Sequence, residues 1–198
     1  MIIGCGGLTQ KPVSEILCNC LDDIQSSYTP DELDSMIGDC FQEAARVYPE
    51  MSDDLADELI QGLHHRCPKY YELLNSMVVQ KMDIDTFISI TENQCESLIG
   101  RYKMFTEDAG WENVISIEKN RKRYWSKGEL VSDADLIWKS PCNYEATITE
   151  KYKQSNTPPY LGETYRVEFC SHINDTLVSR QEHNGVWIYY ELVGPLKE

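Results

Sequence analysis

Apolar residues recur every three to four positions along the first half of the chain, which predicts amphipathic helices. The first predicted helix covers residues 12–26. Thr29 and Glu32 flank Pro30 in the arrangement of a capping box, so we expect a second helix to begin there. It continues through an apolar stripe and ends before Pro49.

Three more helices are predicted downstream. A third follows Ser52, a fourth begins at Pro68, and a fifth extends over residues 83–102. Five amphipathic helices with short connections indicate a compact bundle over residues 11–108.

From residue 111 the apolar period shortens to two, and β-branched and aromatic residues become frequent, which is typical of strands. The candidate strands are residues 114–117, 123–125, 134–138, 144–152, 164–169, 176–178 and 186–192. Turn signals such as Asn184-Gly185 separate them. The pattern therefore predicts an α+β protein, with a disulfide-stapled helical bundle followed by an antiparallel β meander over residues 111–198. About 85 residues suffice for a bent sheet or a partly open barrel.

The charge of the chain restricts its partners. The net charge is −15, and the first 110 residues carry 20 acidic and 7 basic side chains. Nucleic acid requires a basic surface, so we expect no nucleic-acid binding. The acidic half is interpreted as a solvated helical surface, and the alternative is a patch for a basic partner or divalent cations.

Eight cysteines are dispersed along the chain without a CxxC pair, which argues against zinc-ribbon and thioredoxin-type sites. This distribution fits an oxidising compartment. An antiparallel packing of the first two helices brings Cys40 near the level of Cys18 and Cys20, while Cys67 begins the fourth helix. We predict two disulfides among these four residues and leave their pairing open.

In the second half, Cys142 and Cys170 flank a predicted hairpin that turns near residues 156–157. Neighbouring strands would place the two sulfurs at nearly the same height, so we predict a cross-strand disulfide between them. Cys95 is then left over, and we interpret it as a buried free thiol.

Cys5 follows Ile2, Ile3 and Gly4, which matches the end of a bacterial lipobox. We therefore expect Cys5 to be lipidated, with residues 1–10 forming a tether to a lipid anchor. The alternative is an accidental match in a cytosolic protein, because four residues match easily.

The strings CNCL, TPDELDSMIGDCFQEA and HRCPKYYELL resemble the helical part of small exported proteins and lipoproteins of the Bacteroidetes bacteria. VISIEKNRKRYW and DLIWKSPCNYEATITE are similar to a small β module of the same group, with its W..PC.Y core. This resemblance implies an exported protein in the periplasm or at the outer membrane. It implies no chemistry, because the group has no assigned activity.

Three motifs contain residue types that occur in functional sites. Asp83-Ile84-Asp85-Thr86 matches the DxDxT motif of a class of phosphatases. That motif requires a parallel α/β pattern, which this sequence lacks, so we interpret the aspartates as a helix cap. His64-His65 near Cys67 lacks metal-ligand spacing, because adjacent helical residues diverge by about 100°. The basic cluster of Lys119, Arg121, Lys122 and Arg123 is interpreted as a solvated turn, and the alternatives are docking onto the helices or contact with lipid headgroups. We therefore expect no catalytic residue, metal or cofactor.

Aromatic residues of the second half are the candidate ligand or partner surface, although ordinary sheet packing also explains them. They are Trp125, Trp138, Tyr144, Tyr165 and Trp187. The first functional hypothesis is a non-catalytic exported lipoprotein that acts as an interaction or assembly module with a protein partner in the cell envelope. The alternative is a small-molecule or lipid carrier that uses the interior of the β domain. A hydrolase with an unrecognised site is a third.

Overall fold

The computed structural model describes residues 12–48, 53–82, 88–95, 98–106, 110–152, 159–173 and 176–195. Within these ranges the protein is α+β, with helices followed by a curled antiparallel sheet. The described residues contain no helix that is both long and apolar enough to cross a membrane.

Four helices precede the sheet: α1 (Val13–Asp22), α2 (Pro30–Val47), α3 (Asp53–Arg66) and α4 (Pro68–Met82). Helix α2 begins as predicted, because Thr29 accepts from the Glu32 backbone while the Glu32 carboxylate accepts from the Thr29 backbone at 2.9 Å. The helices share one core of buried apolar side chains, among them Leu17, Leu33 and Leu73.

The first two predicted disulfides are present. Cys18 bonds to Cys67 and Cys20 bonds to Cys40, with a Cα–Cα distance of 5.6 Å in each pair. They connect α1 to two different neighbours, because residues two apart on a helix point to different sides.

The predicted fifth helix over residues 83–102 is wrong. Its described part contains the short strand β1 (Ile88–Ser89), the four-residue helix α5 (Glu92–Cys95) and the beginning of β2 (Gly100–Thr106). Strand β2 lies between β3 (Gly110–Ile117) and a late strand, so long-range pairing overrides the local helical pattern. The sheet therefore begins earlier in the chain than predicted.

All seven predicted strands are present. They correspond to β3, β4 (Arg121–Ser126), β5 (Glu129–Ser140), β6 (Asn143–Lys151), β7 (Thr164–Ile173), β8 (Thr176–His183) and β9 (Val186–Pro195), and β6 ends one residue before the predicted bound at 152. From β2 onward each strand pairs antiparallel with the next, which confirms the meander. Strand β9 also pairs with β2, so the pairings of the curled sheet run in a ring from β2 to β9, and β1 adds to β7. Asn184 and Gly185 both have positive φ, as the predicted turn between β8 and β9 requires.

The prediction of a Cys142–Cys170 disulfide is wrong, and so is that of a free thiol at Cys95. Cys95 is buried and bonds to Cys142, with a Cα–Cα distance of 5.0 Å. The pairing register explains the error. Cys142 is level with Phe169, whose backbone N–H donates to the Cys142 carbonyl at 2.8 Å, so Cys170 points to the opposite face. Cys170 is a free, half-buried thiol.

Candidate ligand-binding cavity

Strand β4 divides its three consecutive cations between the two faces of the sheet. Arg121 and Arg123 both reach the buried carboxylate of Asp133 on the outer face, with Nε-to-Oδ1 distances of 2.9 Å and 3.2 Å. Lys122 lies between them in sequence, so strand alternation directs it into the curl of the sheet. The prediction of a solvated turn is therefore wrong for residues 121–123.

Lys122 lines a cavity of about 250 Å³ inside the sheet. The cavity is smaller than the ~300–1,000 Å³ typical of sites for drug-sized ligands, so it suits a small molecule. Apolar and aromatic side chains supply most of its wall. Among the lining residues are Met104, Ile115, Tyr144, Ile148, Tyr165 and Val167.

The Lys122 ammonium is held by two tyrosines. Its Nζ donates to the Tyr165 Oη at 3.2 Å and lies 5.2 Å from the centroid of the Tyr165 ring and 5.9 Å from that of Tyr144. Burial alone would lower the pKa of Lys122, but its electrostatic interactions with Tyr144 and Tyr165 outweigh burial and raise that pKa. The hydrogen bond to Tyr165 and the two aromatic faces favour the ammonium form of Lys122.

Among the described residues that line the cavity, the basic side chains are Lys122 and His183. Burial raises the pKa of Tyr144 to about 12, so this phenol stays neutral. Burial also lowers the pKa of His183, another lining residue, to about 4, so its imidazole is neutral as well. The described residues that line the cavity include no carboxylate. An anionic group that entered would therefore find one cation and several hydroxyl groups.

The five predicted aromatic residues fall into two sets. Tyr144 and Tyr165 line the cavity, and Trp138 packs edge-on against Tyr144 with ring centroids 5.1 Å apart. Trp125 and Trp187 lie on the outer face, where the guanidinium groups of Arg101 and Arg180 cover them at 5.2 Å and 4.9 Å. Trp125 and Trp187 therefore do not fill the cavity.

Lys122 was missed as a site residue, although the sequence carried a signal. Three cations in succession within a strand cannot all face solvent, because successive side chains alternate between the two faces. Either Lys122 or both neighbouring arginines must therefore point into the curl of the sheet. The remaining predicted sites, Cys5 and the Asp83–Asp85 string, lie outside the described residues.

The histidine pair also takes an unexpected position. His64 and His65 lie at the end of α3 and face Glu163, which immediately precedes β7. Although side chains of adjacent helical residues diverge, both rings reach Glu163, because each contacts a different oxygen of its carboxylate.

Comparison with known proteins supplies no further assignment. Neither the models of known protein families nor the curated protein sequences contain a match to this chain. The resemblance to exported Bacteroidetes proteins therefore stays a prediction.

Proposed function

We propose that this protein is a non-catalytic binding protein that holds a small molecule with an apolar body and one negative group inside its curled sheet. One observation carries the proposal: Lys122 projects into an apolar cavity whose described lining contains no carboxylate. Burying a cation without a counter-ion is costly, so an anionic ligand would complete the site. The proposal develops the alternative of a small-molecule or lipid carrier from the sequence analysis and assigns ligand recognition to Lys122.

The interaction-module hypothesis is less favoured by this geometry. This hypothesis uses the aromatic side chains as a recognition surface. However, the guanidinium group of Arg101 covers the ring of Trp125, and that of Arg180 covers the ring of Trp187. Arg180 in turn donates to Glu168 at 2.8 Å. Such a covered surface resembles ordinary outer-face packing of a sheet.

We further propose that the protein works outside the cytoplasm, in the periplasm or at the outer membrane. Six described cysteines form three disulfides, and such bonds persist in oxidising compartments. In this interpretation the four helices are a disulfide-stapled bundle, and lipidation of Cys5 would attach it to a membrane.

Calorimetric titration with octanoate tests the proposed ligand class. We expect the full-length protein to bind octanoate, and Lys122→Met to weaken binding by about 10- to 100-fold, the range for a lost charged hydrogen bond. Methionine keeps most of the side-chain volume, so the cavity retains its shape. The matched control is Lys119→Met in the exposed turn before β4, which should bind octanoate like the wild type.

Octan-1-ol separates the charge from the apolar body. Its affinities for wild type and Lys122→Met should differ much less than those of octanoate, because its hydroxyl group carries no charge. The proposal fails if wild type does not bind octanoate, or if Lys122→Met binds it as tightly as wild type does.

A further inference from the structure

Two histidines of a helix and one glutamate next to a strand lie close together at the seam, the place where the helices contact the sheet. His64 and His65 end α3, and Glu163 precedes β7. One ligand-capable atom from each of the three side chains lies within 4.8 Å of the others. This convergence is independent of Lys122 and of the binding function proposed above.

We propose that His64, His65 and Glu163 form a binding site for a divalent transition metal, of which Zn²⁺ is the best match. Imidazole nitrogen and carboxylate oxygen are both zinc ligands, whereas calcium and magnesium prefer oxygen alone. Two histidines and one glutamate make a complete three-residue set, with a fourth position left for water or another ligand.

The histidine-to-glutamate distances match those around a tetrahedral ion, although the three ligand atoms as a set are up to 4.8 Å apart. His64 Nε2 lies 3.1 Å from one Glu163 carboxylate oxygen, and His65 Nε2 lies 3.4 Å from the other. Ligand atoms about 2.1 Å from a tetrahedral zinc ion are about 3.4 Å apart. An inward movement of the rings by about 1 Å would therefore close the set around one ion.

The surroundings hold these side chains in a form suited to a metal. His64 Nδ1 lies 2.8 Å from the Tyr71 hydroxyl, so a proton on Nδ1 leaves the Nε2 lone pair directed toward Glu163. The backbone N–H of Tyr160 donates to the Glu163 carboxylate at 2.7 Å and fixes its orientation.

The site also has room for a fourth ligand. His64 and Glu163 line a cavity of about 160 Å³, together with Thr164, Gln181 and His183. Since the ligands come from α3 and from the segment before β7, a bound ion would tie the helices to the sheet. Zinc is therefore expected to raise the melting temperature of the protein.

The same three side chains can instead form a hydrogen-bonded cluster, with both Nε2 atoms protonated and no ion. Competition with a chromophoric zinc chelator distinguishes the two, using full-length oxidised protein whose free thiols have been alkylated. We expect one Zn²⁺ per chain. His65→Ala and Glu163→Gln should each weaken zinc binding by more than about tenfold, and Tyr71→Phe by about tenfold.

His172→Ala is the matched control, because it removes a histidine from β7, away from the seam, and should leave zinc affinity unchanged. The His65 side chain is 54% exposed, so His65→Ala tests the site even if another variant misfolds. Circular dichroism checks the folding of each variant. The proposal is overturned if the wild type binds no zinc, or if His65→Ala binds it as tightly as His172→Ala does. Lys122→Met should retain zinc, which separates failure of this site from failure of the cavity.

Discussion

Lys122 has the same charge and nearly the same reach as Arg121 and Arg123, yet its surroundings differ completely. The two arginines share the Asp133 carboxylate on the outer face, where they also meet water. Lys122 instead faces the two tyrosines of the cavity. The difference follows from strand alternation alone, so a shift of one residue in β4 would exchange the two environments.

The same alternation controls the chemistry of Cys170. Burial raises the pKa of its thiol to about 11, so very little thiolate exists near neutral pH. We predict that at pH 8 the folded protein alkylates at Cys170 about 100-fold more slowly than the unfolded chain, because reactivity follows the thiolate fraction. Timed iodoacetamide labelling with peptide mass spectrometry measures both rates. Equal rates in the folded and unfolded chain would contradict the burial of this thiol.

At the level of elements, two helical glycines have opposite surroundings. A Cβ added at Gly62 in α3 would lie 2.3 Å from the Ser14 Cβ of α1, whereas one at Gly38 in α2 would meet nothing within 4 Å. Helices α1 and α3 therefore approach each other closely at this point. Small residues are what allow such an approach.

We predict opposite effects when each glycine is replaced by alanine. Gly38→Ala should stabilise the protein by up to about 1 kcal/mol, the difference in helix propensity. Gly62→Ala should destabilise it by about 1–3 kcal/mol through overpacking. Urea unfolding of the two variants gives both free energies. A gain in stability for Gly62→Ala would show that α1 and α3 are not in close contact there.

The elements that sequence patterns predicted are those whose signals are local. The capping box of Thr29 and Glu32 and the turn at Asn184-Gly185 depend on a few neighbouring residues, and both are present. Strand β2 was missed because its partners, β3 and β9, lie on either side of it in the sheet and β9 is distant in sequence. The Cys95–Cys142 bond spans 47 residues, and no local pattern indicates it.

At the scale of the whole molecule, two apolar cores lie side by side. One belongs to the helices, and the other fills part of the curled sheet and includes Cys95 and Phe169. Two disulfides secure the first core, and the third ties α5 to the sheet. Loops of 20 and 49 residues would each contribute about 3–4 kcal/mol on the chain-entropy model.

A crystal structure with 8-bromooctanoate tests the central claim most directly, because anomalous scattering locates the bromine independently of the protein. The account predicts a carboxylate within hydrogen-bonding distance of Lys122 Nζ and a bromine among the apolar lining residues. A carboxylate seated on the outer face beside Arg121, or a cavity that stays empty at saturating ligand, would contradict it.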